Sequence, residues 1–225
     1  MPKHLERELE NLKKRTLSLV TMVEERLRMS IIAIVKRDGD LAKKVMKSDD
    51  EIDDIEVDIE EECLKILALH QPVAIDLRFI IAVIKINNEL ERIGDLAVNI
   101  AERAAFLSSQ KKLDILFDFP GMAKKAQSMV KRSLDSLVNL DSQLAWEVCA
   151  SDDEVDEMNR EMFVQVQEGI RKNPTRLKCL IHLLSASRHL ERIADHATNI
   201  AQDVIYMIEG EIVRHRVEDY KSFVK

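Results

Sequence analysis

The chain contains an internal repeat. Residues 91–101 read ERIGDLAVNIA and residues 191–201 read ERIADHATNIA, so eight of eleven positions are identical at an offset of 100 residues. A second pair of segments, 48–54 and 151–157, matches at an offset of 103 residues, which fits a short insertion or deletion in a connecting loop. One repeat at this spacing indicates two copies of one structural unit rather than a solenoid of many short units. Any site within the unit is therefore expected twice.

The composition favours helices. Only 5 Gly and 4 Pro occur in 225 residues, aromatic residues make up 4%, and the chain combines 33% charged with 46% hydrophobic residues. This balance is typical of long amphipathic helices. We predict an all-α fold of two tandem, internally repeated three-helix bundles, the first over residues 1–112 and the second over 113–225.

The hydrophobic periodicity predicts where the helices lie. Apolar positions at helical spacing predict helices over 4–37, 41–69 and 75–108, then over 121–149, 151–169 and 175–209. Ser48 with Glu51, and Ser151 with Glu154, have the spacing of N-terminal capping boxes, so the long helix within 41–69 could itself start at Ser48. The last residues, 211–225, are predicted to form a short helical or frayed tail. Short connections make successive helices antiparallel neighbours, which gives an up-down-up bundle in each half.

Several functional classes are disfavoured. The net charge of −7 argues against a protein that binds the phosphate backbone of nucleic acids. No stretch of apolar residues is long enough to span a membrane, and three cysteines without CxxC spacing favour reduced thiols, so we expect a cytoplasmic protein. Phosphate-binding glycine loops, HExxH and Glu-x-x-His are missing from the sequence. Nothing in the sequence argues positively for catalysis.

Acidic side chains recur at helical spacing in both halves. Residues four apart share a helix face, opposite the predicted buried line of Ile86, Ile93 and Ile100. The candidate metal ligands are Asp49, Asp53, Glu91 and Asp95 in the first half and Asp152, Asp156, Glu191 and Asp195 in the second, with Asn99 and Asn199 in possible supporting positions. Neighbouring helix axes lie about 8–10 Å apart, which leaves space for hydrated cations between two such pairs. Oxygen ligands of this kind suit Mg, Mn, Ca or iron.

Two other interpretations of these surfaces remain open. Acidic residues at this spacing are common on solvated helix faces that bind nothing. Towards the N-terminus of the third helix of each half the same face becomes apolar, at Leu77, Ile81 and Ile84 and again at Leu177, Ile181 and Leu184. These residues could dock a partner or join the two bundles. Arg92 and Arg192 are expected in ordinary surface ion pairs, and His189 and His196 are weak ligand candidates because the first half has no counterpart.

The sequence resembles the PhoU family of bacterial phosphate-transport accessory and phosphate-signalling proteins. The resemblance rests on residues 71–78, 85–95 and 99–101, on the second copy at 190–201, and on the turn at 38–42. It extends over nearly the whole chain. The second half departs from the first at Asn173 and Pro174 and at 176–178, so the two sites are expected to differ in metal occupancy.

The resemblance implies both a fold and a function. Family members are two tandem three-helix bundles whose E(D)xxxD motifs hold metal ions or multinuclear clusters, with Mg, Mn, Fe or Zn as candidates. It further implies a negative regulator of high-affinity phosphate uptake and of the phosphate-starvation two-component response. The expected partners are the ATPase of the phosphate ABC transporter and the sensor histidine kinase, which would bring a cytoplasmic homodimer to the membrane. The alternatives are a carboxylate-bridged metalloenzyme and a metal-free helical adaptor.

Overall fold

The structure, a computed structural model, describes residues 3–48, 50–111 and 117–214, and all regular structure in these ranges is helical. The first half contains α1 (Lys3–Lys36), α2 (Gly39–Met46), α3 (Asp50–His70) and α4 (Ala74–Ser108). The second contains α5 (Phe119–Asn139), α6 (Ser142–Ala150), α7 (Asp152–Lys172), a 3-10 turn (Pro174–Arg176) and α8 (Leu177–Glu209). The all-α fold is confirmed. The predicted boundary between residues 112 and 113, and tail residues 215–225, lie outside the described ranges.

Two predicted helices are each divided in the structure. The helical run predicted over 41–69 is α2 followed by α3, and the division lies near Ser48, where the sequence offered a second helix start. The helix predicted over 121–149 is α5 followed by α6, a division that was not predicted. The carboxylate of Asp38 caps α2 by accepting hydrogen bonds from the backbone N–H of Asp40 and Leu41. Leu140 ends α5 in the left-handed conformation, at φ 53°, and Asp141 then caps α6. Aspartate is among the best N-cap residues, so these breaks have a local chemical cause.

The two predicted capping boxes are wrong. The Ser48 hydroxyl donates to the carbonyl of Val45 at 2.9 Å, and the Ser151 hydroxyl donates to the carbonyl of Glu147 at 2.7 Å. Both serines therefore satisfy the end of the preceding short helix rather than the start of the next one. The short helices α2 and α6 complete two bundles whose longer members are α1, α3 and α4, and α5, α7 and α8.

The helices α4 and α8 form the centre of the molecule and make its most extensive helix–helix contact. They run antiparallel, because Lys85 lies beside Asp203 and Glu89 lies beside Asn199. The predicted buried lines are confirmed: Ile86, Ile93, Ala97, Ile100 and Ala104 of α4, and Ile193, Ala197 and Ile200 of α8, belong to one hydrophobic core that reaches from α1 to α8. The core is shared by both copies of the repeat, so the acidic stripes on α4 and α8 are held on one rigid scaffold.

The cysteines pack as small apolar side chains. Cys63, Cys149 and Cys179 are buried and free, as the sequence predicted. Burial raises the pKa of the Cys63 and Cys149 thiols to about 12, which keeps both protonated. Across the described residues, none of the helices is both long and apolar enough to cross a membrane.

Candidate metal centres

Three carboxylates converge at the surface of the first copy. One oxygen each from Asp53 on α3 and from Glu91 and Asp95 on α4 lie within 4.8 Å of one another. Glu91 and Asp95 share a helix face because they are one turn apart, and the packing of α3 against α4 brings Asp53 to them. We call this group the first cluster. Three oxygens at this separation could contact one hard divalent cation.

A glycine makes room for this approach. A methyl group built on Gly94 would lie 3.3 Å from Cδ1 and 3.5 Å from Cγ2 of Ile52, which is on α3. Gly94 immediately precedes Asp95, and Ile52 immediately precedes Asp53, so the close contact lies directly beneath the carboxylates. The absence of a side chain at Gly94 therefore lets α3 sit close to α4 where the cluster forms. The equivalent residue of the second copy is Ala194.

The electrostatics of the first cluster favour a cation. Partial burial, and then the negative charge of Asp95, raise the pKa of Glu91, while Arg92 lowers it. Arg92 itself is half exposed and lies 3.5 Å from the Glu91 carboxylate, in the ordinary surface ion pair that the sequence predicted. A single exposed arginine compensates little of the repulsion among three carboxylates. A bound cation would remove that repulsion.

The second copy brings together its own four acidic residues. Burial, followed by the charge of Asp156, raises the pKa of Asp152 to about 6. Partial burial, followed by the charges of Asp152 and Glu191, raises the pKa of Asp195 to about 7. These four carboxylates, two from α7 and two from α8, therefore sense one another, and we call them the second cluster. For both Asp152 and Asp195, burial is the largest cause of the raised pKa, and the neighbouring carboxylates add to it.

The geometry of the second cluster is looser. Within the ranges that the structure describes, only the first cluster brings three ligand oxygens within 4.8 Å of one another. The Oδ1 atom of Asp152 is nevertheless buried, and its neighbouring donor is the hydroxyl of Thr198, which lowers the pKa of Asp152 although the two groups are not in good hydrogen-bond geometry. A cation would satisfy this buried carboxylate better than one poorly placed hydroxyl does. The residues of both clusters thus fit a metal ion.

The supporting residues are placed differently in the two copies. Asn99 donates to the backbone carbonyl of Asp95 at 3.0 Å, so it stays beside the first cluster. Asn199 instead donates to Glu89 of α4 at 3.2 Å, as does His196 at 2.6 Å, so both join the two copies. Asp49 lies outside the described residues. Glu89 was not predicted as a functional residue. The sequence did carry a signal, because Glu89 and Leu96 of the first copy correspond to His189 and His196 of the second.

The apolar residues beside the acidic stripes are partly exposed. Leu77, Leu177 and Ile181 are exposed at the molecular surface, whereas Ile84 packs against the core. Packing against the core therefore accounts for Ile84 but leaves the other three residues uncovered. Arg188 and Arg192 lower the pKa of Glu191, which partial burial and Asp156 raise. Apolar and basic side chains thus lie next to the second cluster.

Comparison with known proteins identifies the fold and the repeat together. A family model described as "PhoU domain" matches residues 16–104 and again residues 119–204. The chain belongs to the PhoU family. Each match lies within one of the two predicted halves. Both copies contribute a cluster, on α3 and α4 and on α7 and α8 respectively.

Relatives of similar length share the whole architecture. A phosphate-specific transport system accessory protein PhoU homolog of Aquifex aeolicus is 40% identical over 93% of this chain and 95% of its own. A homolog with the same description from Clostridium acetobutylicum is 36% identical over 94% of this chain and 97% of its own. The crystal structure of PhoU from Pseudomonas aeruginosa superposes with a TM-score of 0.88 at 34% identity, covering 92% of this chain and 99% of that one. The phosphate transport system regulatory protein PhoU from Streptococcus pneumoniae superposes at 0.83 and 26% identity, covering 93% and 99%.

Proposed function

We propose that this protein is a non-catalytic accessory protein of a phosphate-specific transport system. In this role it restrains high-affinity phosphate uptake and keeps the phosphate-starvation two-component response switched off when phosphate is plentiful. The observation that carries the proposal is full-length similarity to relatives named as accessory proteins of that system. The all-helical scaffold, with clusters displayed on its surface rather than in a deep cleft, suits an adaptor.

The proposed sites are the two acidic clusters, and the proposed ligands are divalent or multinuclear metal ions such as Mg, Mn, Fe or Zn. Asp53, Glu91 and Asp95 would hold metal in the first copy, together with Asp49 as predicted from the sequence, and Asp152, Asp156, Glu191 and Asp195 in the second. In each cluster the ligands come from one outer helix and one central helix, so bound metal would fasten α3 to α4 and α7 to α8. A ligand that binds only this arrangement stabilises it by mass action.

We further propose that the metal-fastened surfaces dock the ATPase of the phosphate ABC transporter and the sensor histidine kinase. The uncovered residues Leu77 and Leu177 support docking, since exposed apolar side chains beside a functional cluster are typical of interaction sites. The protein would be cytoplasmic, would reach the membrane only through these partners, and would act as a homodimer.

The decisive experiment measures alkaline phosphatase activity in phosphate-replete cells with and without the gene. High activity after deletion, reversed by the wild-type gene, is expected of a negative regulator. Activity that stays low after deletion would refute the regulatory role. Complementation with the double variant Asp95→Asn and Asp195→Asn tests the metal hypothesis, with Asp54→Asn, an exposed α3 neighbour outside the first cluster, as the control. Full complementation by the double variant would favour the metal-free adaptor.

A further inference from the structure

The two copies of the repeat differ in the charge of their outer surfaces. Helix α3 of the first copy carries nine carboxylates and a single lysine. Residues 169–194 of the second copy, from the end of α7 into α8, carry six Lys and Arg and one carboxylate. The equivalent residues of the first copy, 69–94, carry three of each sign. Both outer helices are acidic, since α7 itself carries seven carboxylates, but only the second copy has a basic segment where α7 ends and α8 begins.

The outer face of α3 combines this acidity with exposed apolar side chains. Val57 and Leu64 are 51% and 54% exposed, and Glu61 lies between them on the same helix face. This face points away from the buried line of Ile52 and Ile59. An apolar stripe flanked by carboxylates on a helix already bound to its own core is suited to a second contact.

A basic groove lies between α7 and α8. A cavity of about 480 Å³ is lined by Asn159, Arg160, Phe163, Val164, Leu184 and Arg188. It continues into a smaller depression that shares Leu184 and Arg188 and adds Ile181 and Arg192. Phe163, Val164 and Ile181 are all about half exposed, and none of the described lining residues is a carboxylate. The groove thus has an apolar floor and an arginine rim.

We infer that the outer face of α3, with Val57, Glu61 and Leu64, docks into the α7–α8 groove of a second copy of this chain. The inference rests on the homodimer proposed above and names its interface. Apolar residues meet apolar residues, and the carboxylates of α3 meet Arg188 and also Arg160, which forms an exposed ion pair with Glu157 of its own helix at 2.9 Å. Complementary charge fixes the register of such contacts and suppresses wrong ones.

In the proposed dimer the contact forms twice about a two-fold axis, because each molecule carries one α3 face and one groove. The second copy of the contact matters because one helix in a shallow groove buries little surface, whereas stable protein–protein interfaces bury about 1,600 Å² in total. The contact uses none of the proposed metal ligands, but it borders both clusters, because Asp53 lies one turn before Val57 and Glu191 lies next to Arg192.

The test is sedimentation velocity of the full-length protein over a range of concentrations. Glu61→Lys and Arg188→Glu should each raise the dimer dissociation constant at least about tenfold, because like charges then face each other in both contacts. An equimolar mixture of the two variants should dimerise as wild type does. In the mixed pair, the reversed groove of one chain meets the reversed α3 of the other, and the remaining contact is unchanged.

Asn88→Glu is the matched control, since residue 88 is exposed on α4 at the repeat position equivalent to Arg188. It should leave the dissociation constant unchanged, and circular dichroism should show that every variant folds. A monomeric wild type, an Arg188→Glu protein that dimerises like wild type, or a mixture that stays monomeric would each overturn the interface. None of these results bears on alkaline phosphatase repression in cells, so failure of the interface is distinguishable from failure of the regulatory function.

Discussion

His196 and Glu89 join the two copies of the repeat. The ring Nδ1–H of His196 donates to the Glu89 carboxylate at 2.6 Å, and both side chains are mostly buried. His196 follows Asp195 of the second cluster, while Glu89 lies two residues before Glu91 of the first. The α4–α8 contact therefore carries a hydrogen bond between segments that each hold a proposed metal ligand, so the two clusters share one rigid support.

Replacement of His196 with leucine, the residue at the equivalent position 96, should destabilise the protein by about 1–2 kcal/mol. The variant loses a hydrogen bond to a charged group, and Glu89 keeps only the weaker bond from Asn199. Urea unfolding at pH 7 measures the change in free energy. Asn88→Ala, on the exposed face of α4, should stay within about 0.5 kcal/mol of wild type. Equal stability of His196→Leu and wild type would show that the bond contributes nothing.

We expect the ammonium group of Lys85 to offset the cost of burying the carboxylate of Asp203. Asp203 is 2% exposed, and its Oδ1 accepts from Lys85 at 3.1 Å and from Arg214 at 3.2 Å. Lys85→Met should therefore cost about 3 kcal/mol in the free energy of unfolding, because it leaves a buried carboxylate with one partner. Burial already raises the pKa of Asp203, and loss of Lys85 raises it further, so the cost should shrink at pH 5, where the carboxyl is protonated more easily.

Two further variants test whether the unpaired charge of Asp203 causes this loss of stability, with urea unfolding as the measurement. Lys131→Met removes an exposed ion pair with Asp135 and should change stability by less than about 0.5 kcal/mol. The double variant Lys85→Met and Asp203→Leu should recover much of the loss, because it removes the unpaired charge. A double variant as unstable as Lys85→Met would show that packing, rather than charge, causes the effect.

Local patterns predicted the helices and the first cluster well. The repeat, the buried line through Ile93 and the convergence of Asp53 with Glu91 and Asp95 all follow from helical periodicity and the packing of neighbouring helices. The break near Ser48 was anticipated from the capping motif, although the Ser48 hydroxyl bonds backward to Val45 instead of forming the box. The break between α5 and α6 was missed, because the helical pattern continues through it.

Contacts between the copies could not be derived from local patterns. The Glu89–His196 and Lys85–Asp203 pairs join residues more than 100 positions apart, and their formation depends on the register of α4 against α8. Periodicity fixes which face of a helix is buried but not which residue of another helix lies opposite. The repeat did carry a partial signal. Glu89 bonds to His196 across the copies, and the two copies have different residues at both of these repeat positions.

Titration of the metal-free protein with Mn²⁺ should detect two classes of site. Asp95→Asn should weaken the first class at least about tenfold and leave the second unchanged, and Asp195→Asn should do the reverse. Gly94→Ala should also weaken the first class, because its methyl group would press on Ile52 and move α3 away from α4. Isothermal titration calorimetry measures both affinities. Heats of binding that are identical in wild type and Asp95→Asn would remove the first cluster as a metal site.

The second cluster should make the stability of the metal-free protein depend on pH. The pKa values of Asp152 and Asp195 are raised from 3.8 to about 6 and about 7, so the folded state binds more protons than the unfolded state between about pH 4 and 7. Unfolding free energy should therefore fall as pH rises through this window and be lowest above pH 7. In the presence of chelator, Asp195→Asn should flatten this dependence and stabilise the protein at pH 8, on the order of 1 kcal/mol after screening by water.

Chemical denaturation from pH 5 to 8 in chelator measures this slope, with Asp54→Asn as a control that should keep it. Divalent cation added at pH 8 should restore stability in wild type more than in Asp195→Asn, because the cation binds the ionised carboxylates that repel one another in its absence. A slope that is the same in wild type and Asp195→Asn would show that solvent already screens the second cluster. The repulsion that we assign to Asp152 and Asp195 would then be too weak to drive metal binding there.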